Sequence, residues 1–401
     1  MTPAGPLDGI RVVEFGNLVA APYCGMLLAD LGAEVIKIEP LTGDLSRAIG
    51  PFIDGESAFF MSVNRGKSSL AADPKNPDVA AVLRRLVTRA DVVLHNLRLG
   101  AMERMGLGHR DLMAESPRLV YATISAFGTT GPYSSRPGID LVFQGESGMM
   151  AISGEAGEPP HKTATTIADF VAGTNAALAI SAALVDRSAF GRGRLVEVSL
   201  RDGLMAVQAG WNAQFFATGR QPARTGTASP VTAPNQSLRT RDGHINLAVV
   251  SDRHFAEVCE LLELPDLIGD PRYADNPSRV ENRESLRDAI EAVLVEKSTD
   301  YWMGLFGEAG LAAGRLLDLP AVFEDPQVVH NEMLVEMGHA TAGRIKVTGS
   351  PLRFDGRPSR AAASPPILGG DSRRILEGAG LSEDEIDRLA SARAVLVGGP
   401  E

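Results

Sequence analysis

The chain opens on a strand–helix–strand unit, and that opening constrains its fold more than any other stretch. Ile10-Arg11-Val12-Val13-Glu14-Phe15 reads as a strand. Ala21 to Leu31 reads as a helix that begins near Pro22, a residue tolerated in a first turn, and Gly32 ends it. Ala33 to Glu39 reads as a second strand, stopped by Pro40. A helix between two short strands is the crossover that parallel pairing requires. The expectation is an α/β fold with a doubly wound, Rossmann-like parallel sheet. A weak third strand at Ser68 to Ala72 continues it, then strands at Asp91–Leu94, Leu119–Ile124 and Arg194–Leu200. Between them, Asp78 to Thr88 has the apolar spacing of a helix, at Val79, Ala81, Val82, Leu83 and Leu86.

The second constraint is Lys162-Thr163-Ala164-Thr165-Thr166-Ile167-Ala168-Asp169-Phe170-Val171-Ala172-Gly173. A Thr-rich loop runs into a lone carboxylate. Behind it, Thr174 to Val185 carries no charge and is apolar all round, the pattern of a buried helix. Asp169 falls at the positive N-terminal end of that helix. Two readings stand side by side there: a helix cap, or an anion with chemistry to perform.

Near Gly226 the character changes. Thr227 to Pro234 is a Pro/Thr/Ser loop, followed by a strand at Gly243–Val249 and helices at 252–261, 283–296 and 299–309. The expected domains are a large one over 1–225, a smaller α+β one over 226–330, and a return to the large one over 331–401. The return contains a strand at Arg344–Gly349 and a helix from Ser382, whose Ser-x-x-Glu pair with Glu385 is a capping box.

Composition removes several functions. The net charge of −11, with no long basic run, argues against nucleic acid. Cys24 and Cys259 form no metal or redox spacing and read as small buried residues. The seven histidines show no metal spacing, so no metal site is expected. The N-terminal residues read as neither a secretory signal nor a transit peptide, and no uncharged run reaches ~20 residues. A cytoplasmic protein without a membrane partner is expected. After the first strand comes Gly16-Asn17-Leu18-Val19-Ala20-Ala21-Pro22, which lacks the glycine spacing that a dinucleotide pyrophosphate needs.

The stretch His95-Asn96-Leu97-Arg98-Leu99-Gly100-Ala101-Met102-Glu103-Arg104 follows the fourth strand, at the carboxyl edge where open α/β sheets bind ligands. Arg98 and Arg104 lie near a turn there, placed to meet phosphates or, on the plainer reading, water. Gly138-Ile139-Asp140-Leu141 is a loop-to-helix entry in which Asp140 would ordinarily be a cap.

Taken together, the chain resembles the family III CoA-transferases, the CaiB/BaiF type represented by formyl-CoA transferase. The matching stretches are Pro6–Phe15, Ala21–Pro40, Asn64–Leu70, Asn96–Leu107, Gly128–Tyr133, Gly191–Leu200 and Asp270–Tyr273. The likeness covers nearly the whole chain. It implies that Asp169 is the nucleophile, with Asp140 a candidate second acid in the pocket. It implies CoA binding by Arg104, helped by Arg98, and places Asn96, Lys67, Lys37, Ile38 and Pro40 where the family holds the CoA nucleotide. Members commonly carry an aromatic that packs near CoA where this chain has Ile139. The formyl-CoA enzyme has a glutamine that aligns with Val19 and a glycine-rich flap in place of Ser229–Pro234. Those departures bear on acyl specificity and on a lid, not on the fold.

The implied chemistry needs no permanent cofactor; a coenzyme A thioester is the substrate. Asp169 attacks a donor acyl-CoA to give a mixed anhydride and CoA thiolate. The thiolate attacks the aspartyl side, leaving an aspartyl-CoA thioester and freeing the donor acid. The acceptor acid then attacks, and the steps run in reverse. The helix N-terminus and N–H groups near Gly173 are expected to stabilise the oxyanions. Arg47 and Arg136 are candidates to pair with a dicarboxylate such as succinate. The resemblance also implies a homodimer of interlocked ring-shaped subunits. The rival reading on the same fold is an α-methylacyl-CoA racemase. Its members share a Gly-His-Asp triplet; here the triplet is Gly138-Ile139-Asp140, and isoleucine carries no proton. A further rival is a CoA-binding protein without activity.

Overall fold

Strands that are apolar in unbroken runs must be covered on both faces. The structure is a computed structural model describing residues 5–359 and 363–398. Its first strands are β1 (Arg11–Phe15), β2 (Glu34–Glu39), β3 (Lys67–Ala71), β4 (Val92–His95), β5 (Val120–Ser125) and β6 (Leu195–Ser199). They form one sheet in the order β3-β2-β1-β4-β5-β6, every neighbour parallel. The expected strands are all present. The order reverses between β1 and β4, the switch point at which sheets of this kind open a crevice at their carboxyl edge.

Five helices matter for the site: α1 (Ala20–Asp30), α2 (Pro77–Thr88), α3 (Ala101–Arg104), α4 (Asp140–Glu146) and α5 (Ile167–Phe190). α2 starts where Asn76 accepts the N–H groups of Asp78 and Val79, with Pro77 in the first turn. Its buried stripe of Val79, Val82, Leu83 and Leu86 packs into a core with Val13, Ile36 and Leu70 of the sheet and Ile375, Leu376 and Leu389 of the tail. Each such side chain contributes about 1.5–3 kcal/mol on burial. The tail helix Glu383–Ser391 has the expected capping box between Ser382 and Glu385.

α1 is buried at every residue but Tyr23. It meets α5 closely: a Cβ on Gly173 would stand 2.7 Å from the carbonyl of Ala20. Gly173 is therefore a helix-packing residue, nearly two turns into α5, rather than part of the oxyanion-stabilising helix start expected there. Tyr23 meets Phe170 edge-on at 4.8 Å.

α5 departs from its expectation twice. It begins at Ile167, about two turns before the apolar run. It is also not buried all round: Leu178 is 69% and Val185 72% exposed, while Ala172, Ala176, Ile180 and Leu184 are buried. By length and composition it is long and apolar enough to cross a membrane. Its inner face nonetheless packs on α1 and the sheet.

The chain divides into two compact units, one of Met1–Ser147, Thr163–Ala209 and Asp325–Glu401, the other of Gly148–Lys162 and Gly210–Glu324. The crossings at 210 and 325 lie before the positions 226 and 331 read from the loop composition. The segment 148–162 adds a piece to the second unit that its sequence did not mark. In that unit β7 (Asn235–Arg239), β8 (His244–Ala248) and β9 (Ala313–Arg315) form an antiparallel sheet in the order β9-β8-β7. Helices Asp252–Leu261, Arg283–Leu294 and Thr299–Glu308 share its core through Phe255, Leu286, Ile290, Trp302 and Phe306. In the first unit the expected tail strand is Gly343–Thr348, and it pairs with Leu334–His339, a strand the sequence did not declare. Cys24 and Cys259 are both free and buried.

Candidate active site

Asp169 is the third residue of α5. Thr166 occupies the cap position without a side-chain cap bond, and Asp169 itself caps nothing. Asp169 is half-buried, and its carboxylate has no hydrogen-bond or ion-pair partner among the described residues. Burial, and then the charge of Asp140, push its pKa up to about 7. The cap reading of Asp169 is thus replaced by an unpartnered, partly protonated carboxyl at a helix N-terminus.

The capping is done from a distance. α4 begins at Asp140, and the Ala168 N–H donates to Asp140 Oδ1 at 2.9 Å. Gln144, one turn later on the same face, donates to Asp140 Oδ2 at 2.6 Å and to the Thr165 carbonyl at 3.4 Å. Its Oε1 accepts the Thr163 N–H at 2.8 Å. Asp140, expected as a second acid in the pocket, has an acceptor bond on each oxygen. Gln144 was not singled out in the sequence; its i+4 spacing from Asp140 was the available signal. Ile139 precedes α4 and is 65% exposed.

The carboxyl edge of β1 and β4 is held shut by side chains. The Asn17 N–H donates to Asn96 Oδ1 at 2.9 Å, and Asn96 Nδ2 donates back to the Asn17 carbonyl at 2.9 Å. Leu18 has a left-handed backbone (φ 62°), and its N–H donates to Asp44 Oδ1 at 3.0 Å. Asn96 therefore braces the crevice at the switch point with the amide assigned to CoA. Arg98 and Arg104 lie just beyond, one before and one at the end of α3. Both are exposed, and neither has an ion pair among the described residues. They remain available to an anion.

Lys37 and Lys67 are corrected more strongly. Lys37 Nζ reaches Glu14 Oε1 at 3.0 Å, Asp44 Oδ2 at 2.8 Å and the Gly16 carbonyl at 2.8 Å. Lys67 Nζ reaches Glu14 Oε2 at 2.8 Å, Asn64 Oδ1 at 2.8 Å and the Pro22 carbonyl at 2.7 Å. Each ammonium thus makes two hydrogen bonds and a further ion pair inside the protein. The side chains are completely buried, so neither ammonium is presented at the surface of the crevice as expected for a CoA contact. Burial lowers Lys67 to about 8 against the pull of Glu14, whereas the Glu14 and Asp44 charges overcome burial and raise Lys37. A Cβ on Gly25 would stand 2.0 Å from Glu14 Oε2, so α1 needs glycine where it passes the cluster. Lys37, Ile38 and Glu39 are buried in β2, and Pro40 directly after them is exposed.

Arg47 is also committed. It donates to both oxygens of Glu39, at 2.7 and 2.8 Å, and lies over Phe60 at 3.6 Å. Burial opposes ionisation of Glu39, yet Arg47, Lys37 and Ser69 hold its carboxyl below the usual range. Arg136 pairs with Glu146 at 2.6 Å and faces the Phe127 and Tyr133 rings. Arg47, largely buried, is thereby committed to Glu39, whereas the Arg136 pair is exposed at the surface. In the second unit, Ser229–Pro234 is tied down by its own neighbours. Asn276 accepts the Ala233 N–H, and Arg279 and Arg283 donate to the carbonyls of Ala233 and Ser229. Among the described residues no group of His, Cys, Asp and Glu is arranged to hold a metal.

Comparison with known proteins bears on this geometry. The model of CoA-transferase family III matches residues 7–372. The chain is 36% identical to the mouse succinyl-CoA:glutarate CoA-transferase over 93% of this chain and 86% of the mouse protein. It is 35% identical to the succinate–glutarate CoA-transferase of Agrobacterium fabrum, over 92% of this chain and 95% of that one. A CaiB/BaiF family protein from Brucella suis has a crystal structure that superposes with a TM-score of 0.84, at 34% identity, covering 94% of this chain and all of that one. With a six-stranded parallel sheet, an unpartnered aspartate at a helix start and a match across nearly its whole length, the chain belongs to CoA-transferase family III.

Proposed function

We propose that the protein transfers CoA from succinyl-CoA to a short-chain carboxylic acid, with Asp169 as the nucleophile. The observation that carries this is the Asp169 carboxyl: half-buried, without a partner and held near neutrality at the start of α5. A carboxylate of that kind is more basic than an ordinary one, and so a better nucleophile once ionised. It attacks the thioester carbonyl; the C–S bond breaks, and the electron pair leaves with CoA thiolate. The thiolate then attacks the aspartyl carbonyl of the anhydride and expels succinate. The acceptor carboxylate attacks the aspartyl thioester and releases thiolate again, which attacks the new anhydride at its acyl carbon. Acyl-CoA leaves, and Asp169 is regenerated. Each exchange breaks and forms bonds of similar energy.

Arg104 and Arg98 hold CoA phosphates in this proposal, supported by their exposure and lack of other partners. Glutarate is the first acceptor to try, because two of the similar proteins carry it in their names. The proposal includes a cytoplasmic homodimer with interlocked subunits. The support for a dimer is the open face of α5, where Leu178 and Val185, seven residues apart, are exposed in the single chain. Incubation with succinyl-CoA and a panel of carboxylic acids, with the CoA products read by mass spectrometry, tests the activity. A new CoA ester that appears only with its acid supports it. Succinyl-CoA left unchanged with every acid, or hydrolysed without one, rejects it.

A further inference from the structure

α5 has an unusual start. Its cap residue Thr166 makes no capping bond, so its first N–H groups look elsewhere for acceptors. One of them finds Asp140, 28 residues earlier in the chain. Asp140 is in turn fixed by Gln144, which is completely buried. The orientation of the Gln144 amide is determined by its surroundings. Nε2 faces a carboxylate and a carbonyl, whereas Oε1 faces the Thr163 N–H, so turning the amide over would oppose like groups at these three contacts. One short helix thereby grips both the 163–165 loop and the first turn of α5. Asp169 is the residue directly after the gripped Ala168.

We propose that Gln144 and Asp140 are positioning residues for the Asp169 nucleophile, acting through the 163–168 backbone and touching no substrate themselves. This rests on the reading of Asp169 given above. The arrangement meets two requirements of the reaction together. The backbone beside Asp169 is rigid, so its attack geometry is set before substrate arrives. The helix start is capped by another residue, so the Asp169 oxygens stay unbonded. A local cap by Asp169 itself would have tied up the oxygen that must attack.

The polarity of the pair supplies the test. In Gln144→Glu two carboxylates oppose each other; in Asp140→Asn two NH2 groups do. The double variant Asp140→Asn/Gln144→Glu restores the contact between 140 and 144 with donor and acceptor exchanged and keeps the Ala168 and Thr163 contacts, losing the long one to Thr165. The new amide at 140 still accepts the Ala168 N–H and now donates to the new carboxylate at 144, which still accepts the Thr163 N–H. Each single variant is expected to lose about 100-fold in kcat for succinyl-CoA turnover, with KM within about threefold. The double is expected to recover to within about tenfold of wild type, because coupled neighbours are non-additive. Singles with kcat within about twofold of wild type overturn the proposal, and so does a double whose melting temperature recovers while kcat does not. Where a charged variant fails to fold, Gln144→Met replaces it: about tenfold loss of kcat at constant KM supports the proposal, and unchanged kcat overturns it. Asp169→Asn is run beside them. If it is inactive while the singles are active, only the bracing role is wrong. If it is active, the nucleophile reading fails and takes the bracing role with it.

Discussion

Around Glu14, three carboxylates (Glu14, Glu39, Asp44) meet three cations (Lys37, Lys67, Arg47), and every one of the six has an opposite charge within 3.0 Å. Around the start of α5, two carboxylates share one corner, and Asp169 has no partner among the described residues. The first cluster lies under the carboxyl edge of the sheet, where sequence pattern suggests ligand binding. Its charges are nonetheless used up in holding β1, β2, β3 and α1 together. The second holds Asp169, whose pKa is raised by burial and then by the like charge of Asp140. A charge that is fully satisfied is structure. A charge kept without a partner at an energetic cost is a candidate for chemistry.

Four experiments sharpen or break that contrast. The largest effect is expected from Asp169→Asn. The amide does not form an anhydride, and transfer should fall by at least ~1,000-fold in a steady-state assay, with the fold unchanged by circular dichroism. Next is Lys67→Met in the paired cluster. It leaves Glu14 buried with one cation fewer and should cost about 3–5 kcal/mol in denaturant unfolding, while KM for succinyl-CoA in the folded protein stays the same. A selective rise in KM without loss of stability would return Lys67 to the CoA site. Third, Arg104→Ala should raise KM for acyl-CoA about tenfold, leave kcat nearly untouched and weaken the salt dependence of KM. Arg98→Ala should do the same to a smaller degree.

The smallest effect is on stability against pH. Asp169 titrates near 7 in the folded chain, well above its ordinary value of 3.8. Between those values the folded state keeps a proton that the unfolded chain has released, so stability falls as pH rises through this window and levels off above about 7. Asp169→Asn lacks this loss. At pH 8 it should be more stable than wild type by ~1–2 kcal/mol, and the gap should narrow towards pH 5. In the same window kcat/KM of the wild type should rise with pH as the nucleophile ionises.

The sheet was legible because buried parallel strands leave an unmistakable pattern: Val12-Val13 and Val92-Val93-Leu94 admit few other readings. Asp169 was legible because a lone carboxylate stood ahead of an apolar helix. Its local role was not. The cap it was credited with belongs to Asp140, and a bond between residues 28 apart leaves no mark in local spacing. Lys37 and Lys67 were read as CoA-binding cations because the family resemblance places them where CoA is held. Their fate depends on Glu14, in a different strand, and on a glycine at 25 that lets the cluster fit. Leu178 and Val185 looked buried because composition cannot tell a face covered by the same chain from one left open in it.

The central claim is that Asp169 forms covalent bonds during transfer. Hydroxylamine cleaves an aspartyl thioester or anhydride and leaves a hydroxamate on the side chain that carried it. The measurement is peptide mass spectrometry of the enzyme after turnover of succinyl-CoA in hydroxylamine, with Asp169→Asn as the control and its reversion to aspartate by deamidation excluded. The account predicts one hydroxamate per active site, on the peptide containing Asp169, only when the acyl-CoA is present and never in the variant. An unmodified Asp169 peptide after full turnover, or a variant that still transfers CoA near the wild-type rate, would contradict it.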